Sequence, residues 1–291
     1  MFGVAGRIPP WVPHPDVWLL VAAIASGYAI AVARIGHRYV APGRSPVSRL
    51  QVTCFALGLA TMWVAADWPI HDVAEHLMYS VHMLQHLMLT MVSAPLLLLG
   101  TPGWLVRYVL RPPSLAFRII RTLCRFLPAL MIFNVVLVFT HWPLIVNISL
   151  HSGINHFLLH TLLFISALIV WMPVVSPIPE IPRLAAPVRG AFLFLQSVVP
   201  TVPASFLTFG DTPLYKFYIG KPHLWGMTTL QDQQLAGLIM KIGGGTLLWA
   251  LIAVVFFRWA ADEDRRNQPQ RGRREFDQER TRLHAPVGRL A

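Results

Sequence analysis

The chain has 291 residues, of which 55% are hydrophobic and only 13% are charged, against roughly 25% charged residues in an ordinary soluble domain. A soluble core cannot bury that much apolar surface, so the composition excludes an ordinary soluble domain and favours a membrane protein. The formal net charge is +11 at pH 7, but no ordered module of basic and aromatic residues is present, which argues against binding of nucleic acid.

Seven apolar windows approach the roughly 20 residues that a helix needs to cross the hydrocarbon layer. These windows are residues 17–33, 50–66, 76–100, 127–146, 155–174, 190–209 and 234–257. The sequence therefore predicts an all-α, polytopic membrane protein with a bundle of seven transmembrane helices. The start of the chain is rich in Pro and lacks a long apolar region, so we expect no cleavable signal peptide before the first helix.

Lysine and arginine are unevenly distributed over the connections between these windows. Twenty of the 24 basic residues lie around residues 34–49, 107–125 and 183–189 or from Arg258 onward, and only three lie in the alternate connections. By the positive-inside rule, we predict that the Arg-rich connections and the C-terminus are cytoplasmic and that the N-terminus is outside. The same topology accounts for the net charge, because anionic lipid headgroups attract Lys and Arg.

The composition changes near residue 261, where charged residues of both signs mix with Gln, Pro and Gly. Such a stretch cannot bury enough apolar surface to fold alone. The sequence therefore predicts two regions. Residues 1–260 form the seven-helix transmembrane domain, and residues 261–291 form a charged, disordered cytoplasmic tail.

Two histidine pairs lie inside different apolar windows: His82 and His86 in the third, and His156 and His160 in the fifth. A four-residue step is about one helical turn, so both imidazoles of a pair leave the same face of their helix. Polar side chains within a membrane segment are costly and by default mark function. The predicted topology places both pairs toward the outer side, so the sequence predicts a metal or haem site there.

Three further residues are candidates for the same site. His76 is predicted at the outer rim of the third helix, and Met83 lies beside His82; imidazole suits copper in either oxidation state, and thioether sulfur suits Cu(I). Asp232 is predicted at the outer end of the last helix. It either caps that helix or accepts a hydrogen bond from a ligating imidazole and so fixes the tautomer of the ring.

Three sequence runs, in this order and spacing, resemble the CtaG family of bacterial cytochrome c oxidase assembly factors, of the seven-helix membrane type. The runs are HMLQHLMLTMVSAPLLLLGTP, HFLLHTLLFISALIVWMPVVSPIP and DQQLAGLIMKIGGG. His14 and Pro15 before the first helix fit as well, and the resemblance covers about residues 14–258. It does not extend to the single-span, cysteine-based copper chaperone that has shared the same name.

The resemblance implies a multi-pass protein of the bacterial plasma (inner) membrane that is needed to assemble a haem-copper oxidase. It implies a non-enzymatic role in copper delivery or insertion, with a cytochrome c oxidase subunit as the partner. Membrane lipid is the surrounding medium, and a homo-oligomer is one option for its assembly state. Residue by residue, the family motif marks His82, His86, His156, His160 and Asp232.

Several interpretations of the histidines stay open at this point. Copper bound by neutral imidazoles is the first, and a haem with one axial ligand from each pair, such as His82 and His156, is the second. A metal-free scaffold, whose histidines form hydrogen bonds across helices, is the third. A histidine-box di-iron oxygenase is disfavoured because those boxes face the cytoplasm, and a zinc protease because the H-E-x-x-H motif is absent.

Overall fold

The structure is a computed structural model, and it describes the backbone of residues 6–283 and the side chains of residues 6–267. Within those residues all regular secondary structure is helical. The α-helices are α1 Pro15–Ile30, α2 Arg49–Ala66, α3 Ile70–His76, α4 Tyr79–Leu87, α5 Ala94–Gly100, α6 Gly103–Leu110, α7 Leu115–Leu123, α8 Phe126–Thr140, α9 Pro143–Leu150, α10 Gly153–Val175, α11 Ala186–Val198, α12 Thr201–Phe209, α13 Thr229–Leu238 and α14 Gly244–Leu283. Short π-helical turns join α4 to α5 and α13 to α14.

Six helical segments of the described chain are long and apolar enough to cross a membrane. They are Pro15–Arg38, Arg49–His76, Tyr79–Gly100, Gly153–Val175, Ala186–Phe209 and Thr229–Asn267. Helices α7 and α8 meet at 79° and form a seventh candidate if the bent pair is one span. The all-helical fold with six or seven candidate membrane-spanning helices is thus confirmed, whereas the side on which each terminus lies stays a prediction.

The third span begins later than the sequence predicts. His76 ends α3, the backbone of Met78 is extended, and α4 begins at Tyr79. The prediction that His76 lies on the same helix as His82 is therefore wrong. The reason is tertiary, because the side chain of Asp232, on α13, binds the backbone N–H groups of Tyr79 and Ser80 and so allows a new helix to start there.

The fourth predicted window, residues 127–146, divides into two helices. Helix α8 ends at Thr140, and Pro143 is the first residue of α9. Proline has a fixed φ angle and no N–H group, so it begins a helix readily but does not continue one. The turn between the two helices contains His141, which is buried at 8% exposure.

The boundary predicted near residue 261 does not coincide with the end of a helix, and the disordered tail stays a prediction. Helix α14 continues from Gly244 through Leu283 without a break near residue 261. The straight-chain residues Glu, Gln and Arg, which are frequent there, have high helix propensity and can form a helix that buries nothing. Residues 284–291 of the predicted tail lie outside the described residues.

Close helix packing fixes the surroundings of α4. A Cβ atom on Gly237 would meet Thr208 Oγ1, and one on Gly58 would lie 2.9 Å from Leu97 Cγ. Glycine is therefore required where α13 lies against α12 and where α2 lies against α5. Helix α4 contacts both α3 and α13, so these close approaches determine where its side chains lie.

Candidate metal centre

Five histidines lie together at one end of the bundle, and we call them the inner histidine cluster. They are His82 and His86 on α4, His141 after α8, and His156 and His160 on α10. Four are buried and His160 is half-buried. The structure therefore brings both predicted pairs together and adds His141, which the sequence placed only near the same end.

The contacts of His141 determine which nitrogen of His86 is protonated. His141 Nδ1 lies 2.7 Å from the carbonyl oxygen of Leu137, and a carbonyl can only accept, so Nδ1 carries the proton of His141. Its Nε2 lies 3.0 Å from His86 Nδ1, which therefore donates to it. His86 Nε2 is therefore unprotonated and has a free lone pair, and we call such an atom a bare nitrogen. It lies 3.1 Å from His160 Nε2.

A carboxylate has the same effect on His156. Glu75 Oε1 lies 3.0 Å from His156 Nδ1, at an angle outside that of a good hydrogen bond. Because a carboxylate can only accept, this close approach still favours the tautomer with the proton on Nδ1. His156 Nε2 is then bare, and it lies 2.7 Å from His160 Nε2. A carboxylate behind an imidazole is the usual support of a metal-ligating histidine, because it fixes the tautomer and the ring orientation.

His160 Nε2 consequently faces two bare nitrogens. A single N–H group on His160 can donate to only one of them at a time, whereas a metal ion accepts a lone pair from all three. Two nitrogens bound to one tetrahedral ion at about 2.0 Å lie about 3.3 Å apart, close to the observed separations. The donor set therefore fits a metal ion, with small rotations of the rings.

His82 completes the donor set. One nitrogen each of His82, His86 and His160 lie within 4.8 Å of one another. His82 Nδ1 is buried and has no hydrogen-bond partner among the described residues. An unpaired buried nitrogen is costly, and a nearby cation would remove that cost.

Asp232 has a different place from the predicted one. Its carboxylate is fully buried and accepts hydrogen bonds from the N–H group of Tyr79 at 2.6 Å and from the N–H and Oγ of Ser80. Among the described residues, the histidine that forms an ion-pair contact with it is His223, at 3.7 Å. Asp232 thus caps α4 from a neighbouring helix, while Thr228 caps α13, so the two predicted roles of Asp232 are replaced by this one.

The other two predicted ligands lie away from the converging nitrogens. His76 is exposed on α3. Met83 is 1% exposed and packs among apolar and aromatic side chains that include Tyr79 and Tyr215. It also borders a small cavity of about 50 Å³ beside His86, which has room for one or two water molecules.

Two buried tyrosines from the connection between α12 and α13 support the backbone of the site. Tyr215 donates to the carbonyl oxygen of His141 at 3.0 Å, and Tyr218 donates to that of Ala74 at 2.6 Å. Burial raises the pKa of Tyr215 to about 12 and raises the pKa of Tyr218 well above its usual value of 10. Both phenols are therefore protonated at physiological pH and remain donors.

Glu75 and His141 are the site residues that sequence reasoning did not assign to the site. Glu75 is four residues after His71, and His141 stands two residues before Pro143, where a helix has to end. Such signals mark positions on one face or at one end of a helix. They do not say which imidazole each side chain contacts.

The comparisons with known proteins give one match. A family model described as cytochrome c oxidase caa3 assembly factor (Caa3_CtaG) matches residues 26–262. No curated protein and no solved structure matches the chain. The matched range contains the whole inner histidine cluster, Glu75 and Asp232, but not His14.

Proposed function

Since the chain belongs to the family of cytochrome c oxidase caa3 assembly factors, we propose that it assists oxidase assembly by binding copper in the inner histidine cluster and passing it to an oxidase subunit. The proposed ligands are His82, His86, His156 and His160. The proposed setting is the outer side of a bacterial plasma membrane.

The single observation that carries this proposal is the convergence of bare nitrogens on His160. The partners of His86 and His156 hold both protons on Nδ1, on the far side of each ring. Both Nε2 atoms then point toward His160 Nε2 within 3.1 Å. Imidazole suits copper in both oxidation states but also suits other transition metals, so copper itself rests on the assembly role of the family.

The protein's own residues would bind and release the ion without a catalytic step. Imidazoles on α4 and α10 bind the ion, while Glu75 and His141 keep the ligating nitrogens free of protons. Because the site is made of neutral ligands from separate helices, one imidazole at a time can exchange for a ligand on the partner. The proposed role is therefore delivery, with no catalytic step.

Haem is a poorer occupant of this geometry. Axial histidines of a bis-histidine haem lie on opposite faces of the porphyrin. Here the rings of His82 and His156 are 5.4 Å apart and inclined at 73°. The cavity of about 50 Å³ beside His86 has no space for a macrocycle, and the larger cavity of about 650 Å³ that borders His141 is lined by none of the four proposed ligands.

Metal content provides the test of this function. We would purify the full-length protein in detergent, load it with copper, and measure bound metals by mass spectrometry and the visible spectrum. About one copper per chain is expected for the wild type, and less than about a tenth for the variant carrying His86→Ala and His160→Ala. The matched control carries His76→Ala and His151→Ala, two exposed histidines outside the cluster, and should keep its copper.

Two results would overturn the copper proposal. One is a loaded wild-type protein that holds no copper, and the other is equal copper in the double variant and the wild type. A Soret band in the purified protein would point to haem instead. A wild type without any metal that still supports oxidase assembly would indicate a scaffold whose histidines serve only helix packing.

A further inference from the structure

The inner histidine cluster is connected to the surface by a second set of metal-ligand side chains. His71, on α3, lies with its Nε2 3.5 Å from Glu75 Oε2. The other oxygen of Glu75 contacts His156, a member of the inner cluster. Farther out, His14 Nε2 lies 2.9 Å from Asp72 Oδ2, and its ring contacts the ring of His71 edge to face at 5.0 Å.

Solvent reaches three side chains of this series but hardly reaches His156. The side chains of His14, His71 and Glu75 are 16%, 21% and 23% exposed, whereas that of His156 is 4% exposed. A buried metal site needs a path by which the ion arrives. Of the contacts around the inner cluster, those through Glu75 lead to side chains that solvent reaches.

We propose that His71 and Glu75 form an outer station at which a copper ion first binds before it moves on to the Nε2 atoms of the inner cluster. This inference rests on the proposed copper binding. His14 and Asp72 would stand at the mouth of the route, and His14 lies outside the range matched by the family model.

The geometry of the outer station fits a transient ligand pair. Two ligand atoms about 2.0–2.2 Å from one tetrahedral ion lie about 3.4 Å apart. The observed separation of His71 Nε2 and Glu75 Oε2 is 3.5 Å, which is longer than a good hydrogen bond. The amide of Gln85 lies 3.3 Å from His71 Nδ1 and can only donate to it, so the proton of His71 is on Nε2 and an ion has to displace it. With only two ligands within reach, the station therefore binds an ion more weakly than the inner cluster and releases it inward.

Glu75 lies between the outer station and the inner cluster. One of its oxygens faces Nε2 of His71 and the other faces the protonated Nδ1 of His156, so an ion held at the station is one imidazole ring away from the ligating Nε2 of His156. The negative charges of Glu75 and Asp72 also attract cations from solution, an effect that speeds association and weakens with salt. Removing the station should therefore slow loading more than it weakens final binding.

The experiment measures loading rate and final occupancy on the same protein. Full-length protein in detergent is mixed anaerobically with Cu(I) bound to a coloured chelator, and transfer is followed by the loss of the chelator's absorbance. His71→Phe and Glu75→Gln are the test variants. Phenylalanine keeps a planar ring, and glutamine keeps an oxygen that can accept the Nδ1 proton of His156.

Controls remove the same groups elsewhere on the same end of the protein. His151→Phe removes an exposed imidazole after α9, and Asp211→Asn removes an exposed carboxylate after α12. A variant carrying His86→Ala and His160→Ala reports on the inner cluster itself. Thermal melting of every variant confirms that it is folded before its rate is compared.

The expected result is loading slowed about tenfold in His71→Phe, with final occupancy near that of the wild type and unchanged controls. Glu75→Gln should slow loading as well and also weaken final binding, because Glu75 supports the ligating imidazole of His156. The salt dependence of the rate should also decrease in Glu75→Gln. Wild-type rates in both test variants, with normal occupancy, would overturn the outer station alone. A wild type that takes up no copper would overturn the proposed function and the route with it.

Discussion

The two ends of the bundle use polar side chains in opposite ways. At the Arg-rich end, Arg107 and Glu180 form an ion pair at 2.7 Å, but their side chains are 42% and 35% exposed. At the histidine-rich end, the polar side chains are mostly buried and contact one another. Asp232 is fully buried, and His156 is 3% exposed.

This difference shows where polar groups contribute most to stability and function. An exposed ion pair is solvated in the folded and unfolded states alike, so breaking it changes little. A buried carboxylate or imidazole has lost its water, so removal of its partner leaves an unpaired group at full cost. Substitutions at the histidine-rich end should therefore have much larger effects than chemically similar ones at the Arg-rich end.

Asp232→Ala is expected to have the largest effect. It removes three hydrogen bonds to the first turn of α4 and leaves two buried N–H groups without a partner. We expect the free energy of unfolding to fall by about 3 kcal/mol, measured by thermal or denaturant unfolding in detergent. A loss below about 1 kcal/mol would contradict the capping role, and Asp211→Asn is the control for charge removal at an exposed position.

His141→Ala should act on metal binding more than on stability. The substitution removes the acceptor that holds the proton of His86 on Nδ1, so His86 Nε2 is no longer kept bare. Loss of such a supporting contact weakens metal affinity by about 10- to 100-fold, and a copper titration with a competing chelator would measure it. His151→Ala should bind copper as the wild type does, and equal affinity in both variants would remove His141 from the site.

Tyr215→Phe and Tyr39→Phe compare the same chemical change at the two ends. Tyr215 donates a buried hydrogen bond to the carbonyl oxygen of His141, and its loss should cost about 1 kcal/mol of unfolding free energy. Tyr39 is 51% exposed beside Trp104, so removing its hydroxyl should leave the free energy of unfolding nearly unchanged. Equal melting temperatures for the two variants would contradict the predicted difference between the two ends of the bundle.

Glu180→Gln is expected to have the smallest effect. The Arg107 guanidinium hydrogen-bonds to Glu180 and lowers the pKa of its carboxyl, so the folded state favours the charged form. That contribution is present above the unfolded pKa of about 4.3 and is lost as the pH falls through the lower folded value. We expect a change below about 0.5 kcal/mol at pH 7, and a slightly flatter decline of melting temperature in acid. A change above 1 kcal/mol would show that this exposed pair is not solvated as described.

Part of the candidate site was readable from the chain alone. The four-residue spacing of His82 and His86, and of His156 and His160, predicted that each pair shares one helix face. The structure places these faces together. This prediction succeeded because it depends only on the period of one helix.

The misplaced residues depend on contacts between segments far apart in the chain. Asp232 was predicted to cap its own helix or support an imidazole. Instead it caps α4 through the N–H group of Tyr79, which is 153 residues away in the chain. His76 was placed on the helix of His82, because the apolar pattern continues across the break that Asp232 stabilises. A hydropathy pattern does not contain the partner of a backbone N–H group, so it cannot locate such a break.

The sequence by itself determined the membrane class, the six or seven apolar helices and the two imidazole pairs, because each is a local property of composition or helical period. Only the tertiary structure decided that Glu75 lies behind His156, that His141 lies behind His86, and that bare nitrogens converge on His160. The physical reason is that a proton's position on an imidazole is set by the partner of its other nitrogen. That partner comes from another helix.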